Sequence, residues 1–432
     1  MSILRFIALC LAMPFLWSCA ASGSIVQDQE QKTPASQEST QMPSRKLKTI
    51  QLYPTGNPMA PPYLELGSGN SLTLHFDDLA GGYENYQYRL VHCDHFWEAS
   101  DLPSNNYIRG FQTASIENME QSFNTMLNYT HYWAEFPNNM QEILLSGNYK
   151  LEIYTMDDEE TVIAVKRFVV YEQIGRFRPM VKEPTVISER RYKQEVDFDF
   201  LPYNYDVVRP YEDLHMVVLQ NHRWDNAIFD LKPVFVKGDE IIYNHDEENN
   251  FDGLNEYRFL DLKDLRFNAI NMDSIKQYND GWHAFLRPSD KRAFDVYRTD
   301  QDINGRFLVK NDRFDDHLES EYLLTHFKLN MDYVLSGAEV CIVGDAFGYH
   351  CHEENTLQYN SVKKQYEGNI LVKQGYYNWM YAVQYPHEAA DISVLEGTHW
   401  ATNNEYTVIA YYADPVGYDR VIGILFTDNQ NR

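Results

Sequence analysis

The stretch Tyr86–Arg109, YQYRLVHCDHFWEASDLPSNNYIR, decides how this chain folds. It opens as a strand. Aromatic and β-branched residues alternate with polar ones, which places Tyr86, Tyr88, Leu90 and His92 on one face and Gln87, Arg89, Val91 and Cys93 on the other. A knot of polar and aromatic groups follows, His92-Cys93-Asp94-His95-Phe96-Trp97, and then a Pro/Ser/Asn turn. No simple packing requirement accounts for so many special side chains together, so the stretch reads as a chemical site or a binding surface.

Short alternating runs recur on both sides of it: Thr49–Tyr53, Ser71–Phe76, Tyr129–Phe136, Tyr149–Tyr154 and Val162–Tyr171. Turn signals such as Gly67-Ser68-Gly69-Asn70 and Ser146-Gly147-Asn148 separate them. No segment here has a helical period, so residues 47–172 are expected to form an immunoglobulin-like sandwich. Gly175-Arg176-Phe177-Arg178-Pro179 opens a second unit, 173–320, with strands expected at Gln194–Phe200, Leu214–Asn221, Glu240–Tyr243 and Arg292–Arg298. A third unit, 321–432, carries Tyr322–Leu329, Glu339–Val343, Tyr376–Val383, Tyr406–Tyr412 and Val421–Phe426. The expected fold class is all-β, with tandem immunoglobulin-like β-sandwich domains, and Val343-Gly344-Asp345-Ala346-Phe347 in the third resembles early-set β-sandwich modules.

The 432 residues are too many for one core, and 14% aromatic content favours strands. With 37 Lys+Arg against 63 Asp+Glu, the net charge of -26 excludes nucleic acid as a partner, whose phosphates need basic counterparts, and disfavours lying on anionic lipid. Residues 1–18 read as a signal peptide, with Arg5 in the basic region and Ile7–Leu16 as the apolar core. Leu16-Trp17-Ser18-Cys19 resembles a bacterial lipobox, which implies cleavage before Cys19 and acylation of that residue. Ala20-Ala21-Ser22 favours delivery to the outer membrane, and residues 19–46 have the Ser/Gln/Thr/Pro composition of a disordered tether. Such a tether, of about 27 residues, reaches roughly 30 Å. No later apolar run is long enough to span a bilayer.

Several constellations suggest chemistry. His92, Asp94 and His95, with His131 further on, offer Zn- or Fe-type ligands, although spacing i, i+3 does not put both histidines on one strand face. Structural hydrogen bonding is the alternative. Asp300-x-Asp302-x-Asn304-Gly305 matches the first half of an EF-hand loop, but Asn311 stands where the bidentate Glu belongs, and an Asx turn explains the same residues. There is no nucleophile elbow and no phosphate loop, and Asp94 opposes thiolate formation at Cys93. The chain is therefore expected not to be an enzyme and to need no cofactor. Cys341 and Cys351 are close enough in sequence to form a possible disulfide. Tyr376-Tyr377-Asn378-Trp379-Met380-Tyr381 and His399-Trp400 are either a sugar-stacking or docking face or ordinary sandwich alternation.

A family resemblance runs through these motifs. Phe76-Asp77-Asp78-Leu79, Tyr86-Gln87-Tyr88-Arg89 with His92-Cys93-Asp94 and Trp97, and Tyr107-x-Arg109-Gly110-Phe111 resemble the type IX secretion system plug protein family. So do Ser122–Thr125, Tyr129–Tyr132, Leu145–Tyr149, Asn255–Phe259, Asp302–Phe307, Lys373–Tyr377, Glu396–His399 and Asn404–Tyr406, in order along the chain. The resemblance implies a non-enzymatic periplasmic protein of β-sandwiches. It implies association with the giant outer-membrane translocon barrel of that system, whose periplasmic opening such proteins occlude. His92, Asp94, Trp97, Tyr107 and Arg109 are then a turn signature or part of the interface. The competing expectation is a glycan-binding outer-membrane lipoprotein that stacks sugars on Trp379 or Trp400.

Overall fold

Alternation along Tyr86–Cys93 is realised as a strand, Tyr86, Tyr88, Leu90 and His92 being buried while Gln87, Arg89 and Val91 are half-buried. The computed structural model describes residues 47–159, 161–203, 205–415 and 417–429. The signal peptide, Cys19 and the tether lie outside the described residues. Among the described residues no helix is long and apolar enough to cross a membrane. Among the described residues the regular secondary structure is almost all strand, arranged in sandwiches.

Strands within residues 47–171 pair in sheets only with one another. One sheet runs in the order Leu47–Pro54, Leu72–Asp78, Thr130–Phe136, Asn118–Gln121. The facing sheet runs Tyr63–Glu65, Ala164–Tyr171, Gly147–Thr155, Tyr86–Cys93, Thr113–Ser115. Leu74, Phe76 and Tyr132 from the first sheet meet Tyr88, Leu90, Leu151 and Phe168 from the second to form the core. Tyr86–Cys93 is held antiparallel to Gly147–Thr155, from Tyr86 opposite Thr155 to Cys93 opposite Asn148.

Beyond residue 172 the sheets do not follow a division at 320. Leu214–Gln220 pairs antiparallel with Glu405–Asp414, which pairs in turn with Tyr418–Asp428. The last two strands of the chain thus complete the second sandwich. Its other sheet runs Arg176–Lys182, Lys193–Leu201, Glu240–Tyr243, Phe235–Lys237. Conversely, Arg258–Asp261, Met272–Tyr278, Gly281–Leu286 and Phe307–Val309 join the sheet that contains Tyr322–Asn330 and Gly375–Gln384. The physical reason lies in Glu405–Asp414, where Tyr406–Tyr412 is an unbroken buried run. Tyr406, Val408, Ala410 and Tyr412 face the core of the second sandwich, and Ile409 and Tyr411 face the first. A strand covered on both faces sits inside a sheet rather than at its edge, and this one lies between Leu214–Gln220 and Tyr418–Asp428.

The expected strand at Arg292–Arg298 is absent; those residues form turn and irregular structure. Cys341 and Cys351 form a disulfide with their Cα atoms 5.4 Å apart, pinning the strand Glu339–Val343 to the loop that follows it. Closing a loop with a sequence separation of 10 removes chain entropy from the unfolded state, so Cys351→Ser is expected to lower the unfolding free energy by roughly 2–3 kcal/mol. Urea unfolding with and without reductant measures this, and a midpoint insensitive to both changes would show that the bridge adds nothing.

Candidate functional site

The polar knot after Cys93 is a turn driven into the joint between the first two sandwiches. Asp94 makes the turn: its Oδ1 accepts the backbone N–H groups of Phe96 (2.9 Å) and Glu98 (2.8 Å), and its carbonyl accepts Trp97 N–H (3.0 Å). Trp97 has φ +68°, a left-handed conformation that a bulky side chain adopts only under compulsion. Packing supplies the compulsion. The indole is buried with Val217, Leu219, Ile409 and Tyr411 of the second sandwich, meets Trp224 edge-on at 4.7 Å, and carries the Arg167 guanidinium 4.7 Å above its ring.

Hydrogen bonds cross the same joint. Tyr411 donates its hydroxyl to Asn148 Oδ1 (2.7 Å), and Asn148 Nδ2 donates to the Asp94 carbonyl (2.9 Å). Asp419 accepts from the His95 backbone N–H (2.8 Å) and lies 2.5 Å from His95 Nδ1. Arg420 forks onto Glu172 through Nε (2.7 Å) and Nη2 (2.6 Å), while Ser146 donates to the same carboxylate (2.8 Å). Burial alone would raise the pKa of Glu172, but Arg420 and Ser146 outweigh it and the net shift is downward.

His92 is enclosed one layer further in. Its Nδ1 lies 3.0 Å from Ser100 Oγ and its Nε2 3.3 Å from the Ser146 carbonyl, and its ring packs edge-on against Tyr149. Gly147 is required beside it, since a Cβ there would lie 2.3 Å from His92 Nε2. Burial lowers the His92 pKa, keeping the ring neutral, and pushes the Cys93 thiol up to about 11, which leaves it a poor nucleophile. Tyr107 is buried against His92 and the first core. Arg109 is exposed and paired with Glu142 at 2.5 Å. Next to it the backbone N–H of Phe111 bonds the Met140 carbonyl (3.0 Å), leaving two apolar side chains 59% and 61% exposed at one rim of the first sandwich.

The sequence grouping of His92, Asp94, His95 and His131 does not come together as a unit. His95 stacks on His215 (4.3 Å), and His131 lies with His75 and His317. The half-EF-hand is an Asx turn: Asp302 accepts the N–H groups of Tyr257 (2.5 Å) and Asn304 (3.0 Å), and Asn304 and Gly305 both take positive φ. Asn311 is buried, with Nδ2 donating to the Glu319 carbonyl (3.0 Å). Trp379 is 2% exposed, edge-on to Phe327 and Tyr381 in the core of the third sandwich, so it offers no face to a sugar. Trp400 is half-buried. His75, His215 and His317 carried no motif in the sequence; strand alternation around His75 was the one signal that could have placed it beside His131.

Fold and joint together define an all-β protein of sandwiches that share strands and whose polar motifs are spent on internal junctions. The sequence profile described as the Type 9 secretion system plug protein 1st domain matches residues 47–172. A solved structure titled a hypothetical protein from Parabacteroides merdae is similar over 89% of this chain and 98% of its own, at 31% identity and a TM-score of 0.85. The chain belongs to the type 9 secretion system plug protein family. Trypsin-activated alpha-2-macroglobulin from Escherichia coli aligns at 10% identity over 88% of this chain and 28% of its own, but a TM-score of 0.17 carries no argument about fold. No curated protein matches the sequence significantly.

Proposed function

We propose that the protein is a non-enzymatic plug subunit that binds the giant outer-membrane translocon barrel of the type IX secretion system and closes its periplasmic opening. The observation that carries this reading is the family match over the whole first sandwich. The strand exchange between sandwiches supports it, since a pore wide enough for folded cargo needs a stiff stopper and rigid elements present loop ends in fixed positions. The exposed rim of Arg109, Phe111 and Met140 is the contact proposed on the first sandwich, an apolar pair flanked by charge as docking patches are. Acylated Cys19 anchors the protein to the periplasmic face of the outer membrane, and the tether of residues 19–46 keeps the plug at high local concentration near its barrel.

Affinity purification of the tagged protein from detergent-solubilised envelopes is expected to recover one very large barrel. Cys19→Ala should reduce the occupied fraction, and Phe111→Ala with Met140→Ala should reduce it without changing the melting temperature. Purification without any barrel would overturn the reading. Recovery unchanged by Cys19→Ala would remove the tether from it.

A further inference from the structure

We propose that His75, His131 and His317 form a Zn²⁺-binding site that bridges the first sandwich to the segment preceding the strand Tyr322–Asn330. His75 and His131 stand on the neighbouring strands Leu72–Asp78 and Thr130–Phe136, and His317 comes from the connection between Phe307–Val309 and Tyr322–Asn330. One ligand nitrogen from each lies within 4.8 Å of the others. His75 Nδ1 and His131 Nε2 are 3.0 Å apart, close to the spacing of about 3.3 Å that two imidazoles take on a tetrahedral ion at ~2.05 Å. The ring of His317 lies 4.5 Å from that of His75 and 4.6 Å from that of His131. Its ring is half-buried and stacked parallel on that of His75, so it closes the set by turning out of that stack about its own side-chain bonds while its backbone stays held by Asp315 and Tyr129.

The surroundings have the character of a ligand shell. Asp77 Oδ1 lies 2.7 Å from His131 Nδ1, which fixes the proton on that nitrogen and leaves the Nε2 lone pair to accept from His75 Nδ1, whose proton an incoming metal ion would displace. The other Asp77 oxygen accepts from Tyr322 OH (2.6 Å) and Lys373 Nζ (2.6 Å), so the orienting carboxylate is itself held rigidly from the third sandwich. Lys373 is a cation close to the cluster, but it is neutralised by Asp77, and Asp315 and Asp316 add negative charge on the loop that carries His317. Three imidazole nitrogens select a borderline ion over Ca²⁺ or Mg²⁺, which take oxygen ligands. His75 and His317 are only partly buried, which leaves the fourth position to water.

A second group, His95, His215 and Asp230, is the natural control. There Lys232 Nζ lies 2.6 Å from Asp230 and 3.2 Å from His215 Nδ1, so a cation of the protein already stands among the donors.

The test uses the intact folded protein, stripped with chelator and titrated with ZnCl₂ by calorimetry, with bound metal counted by elemental analysis. About one Zn²⁺ per chain and a higher melting temperature on zinc addition are expected. His317→Ala should abolish both while melting like the wild type in chelator, and His317→Cys, which still ligates, should restore uptake. Cobalt substitution of the wild type should give the visible absorption of a tetrahedral site without any variant. Absence of stoichiometric zinc, uptake unchanged by His317→Ala, or uptake lost instead in His215→Ala would each overturn the proposal.

Discussion

Trp97→Ala is expected to cost about 3–5 kcal/mol of unfolding free energy, because it empties a fully buried indole site at the junction of two sandwiches. The loss has several parts. The contacts with Val217, Leu219, Ile409 and Tyr411 go, and so do the edge-on pair with Trp224 and the Arg167 contact. The left-handed backbone at φ +68° remains, and alanine is also uncomfortable there, so no strain is relieved. Because the indole N–H has no partner, Trp97→Phe forfeits no hydrogen bond and should recover most of the loss. The readout specific to a joint is cooperativity: in Trp97→Ala the first sandwich should melt apart from the rest, and proteolysis should cut between them. An unchanged melting temperature with lost barrel binding would move Trp97 from the joint to the docking surface.

That result bears on how far the sequence could be read. Tyr86–Cys93 announced its strand because one side of it faces a core and the period of two survives in the burial pattern. The first sandwich was legible for the same reason, its strands pairing locally. The polar knot was not, because Asp94 bonds its own turn while His95 finds Asp419, a partner 324 residues away. The exchange of strands beyond residue 172 was hidden by the same physics. Alternation states which face of a strand is buried and nothing about which neighbour it pairs with. The one local trace was Tyr406–Tyr412, an apolar run too continuous for a strand with a wet face.

Glu396→Gln is expected to be as damaging as Trp97→Ala, and here the motifs were visible while their purpose was not. Asn255–Phe259 and Glu396–His399 are far apart in sequence, yet Arg258 and Glu396 are partners in one buried ion cluster. Glu396 is 0% exposed. Its Oε1 accepts from Arg258 Nε (2.9 Å) and from the Tyr381 backbone N–H (2.9 Å), and its Oε2 accepts from Arg258 Nη2 (3.0 Å) and Arg292 Nε (2.6 Å). Arg258 also lies 5.1 Å over the ring of Tyr381. The substitution leaves two guanidinium groups beside a neutral amide that must turn an N–H toward one of them, an uncompensated charge costing about 3–5 kcal/mol. Burial would raise the Glu396 pKa, but Arg258 and Arg292 overcome it, and the folded value lies below the ordinary 4.5. The unfolded chain therefore binds this proton more readily than the folded one. The carboxylate's contribution is complete above pH 4.5 and is lost as pH falls through the lower folded value. The stability gap between wild type and Glu396→Gln should thus be widest near neutrality and shrink as the pH drops below 4.5. Urea titrations at several pH values measure it. A gap under about 1 kcal/mol at pH 7, or one that does not change with acid, would mean that the two arginines are satisfied without the carboxylate.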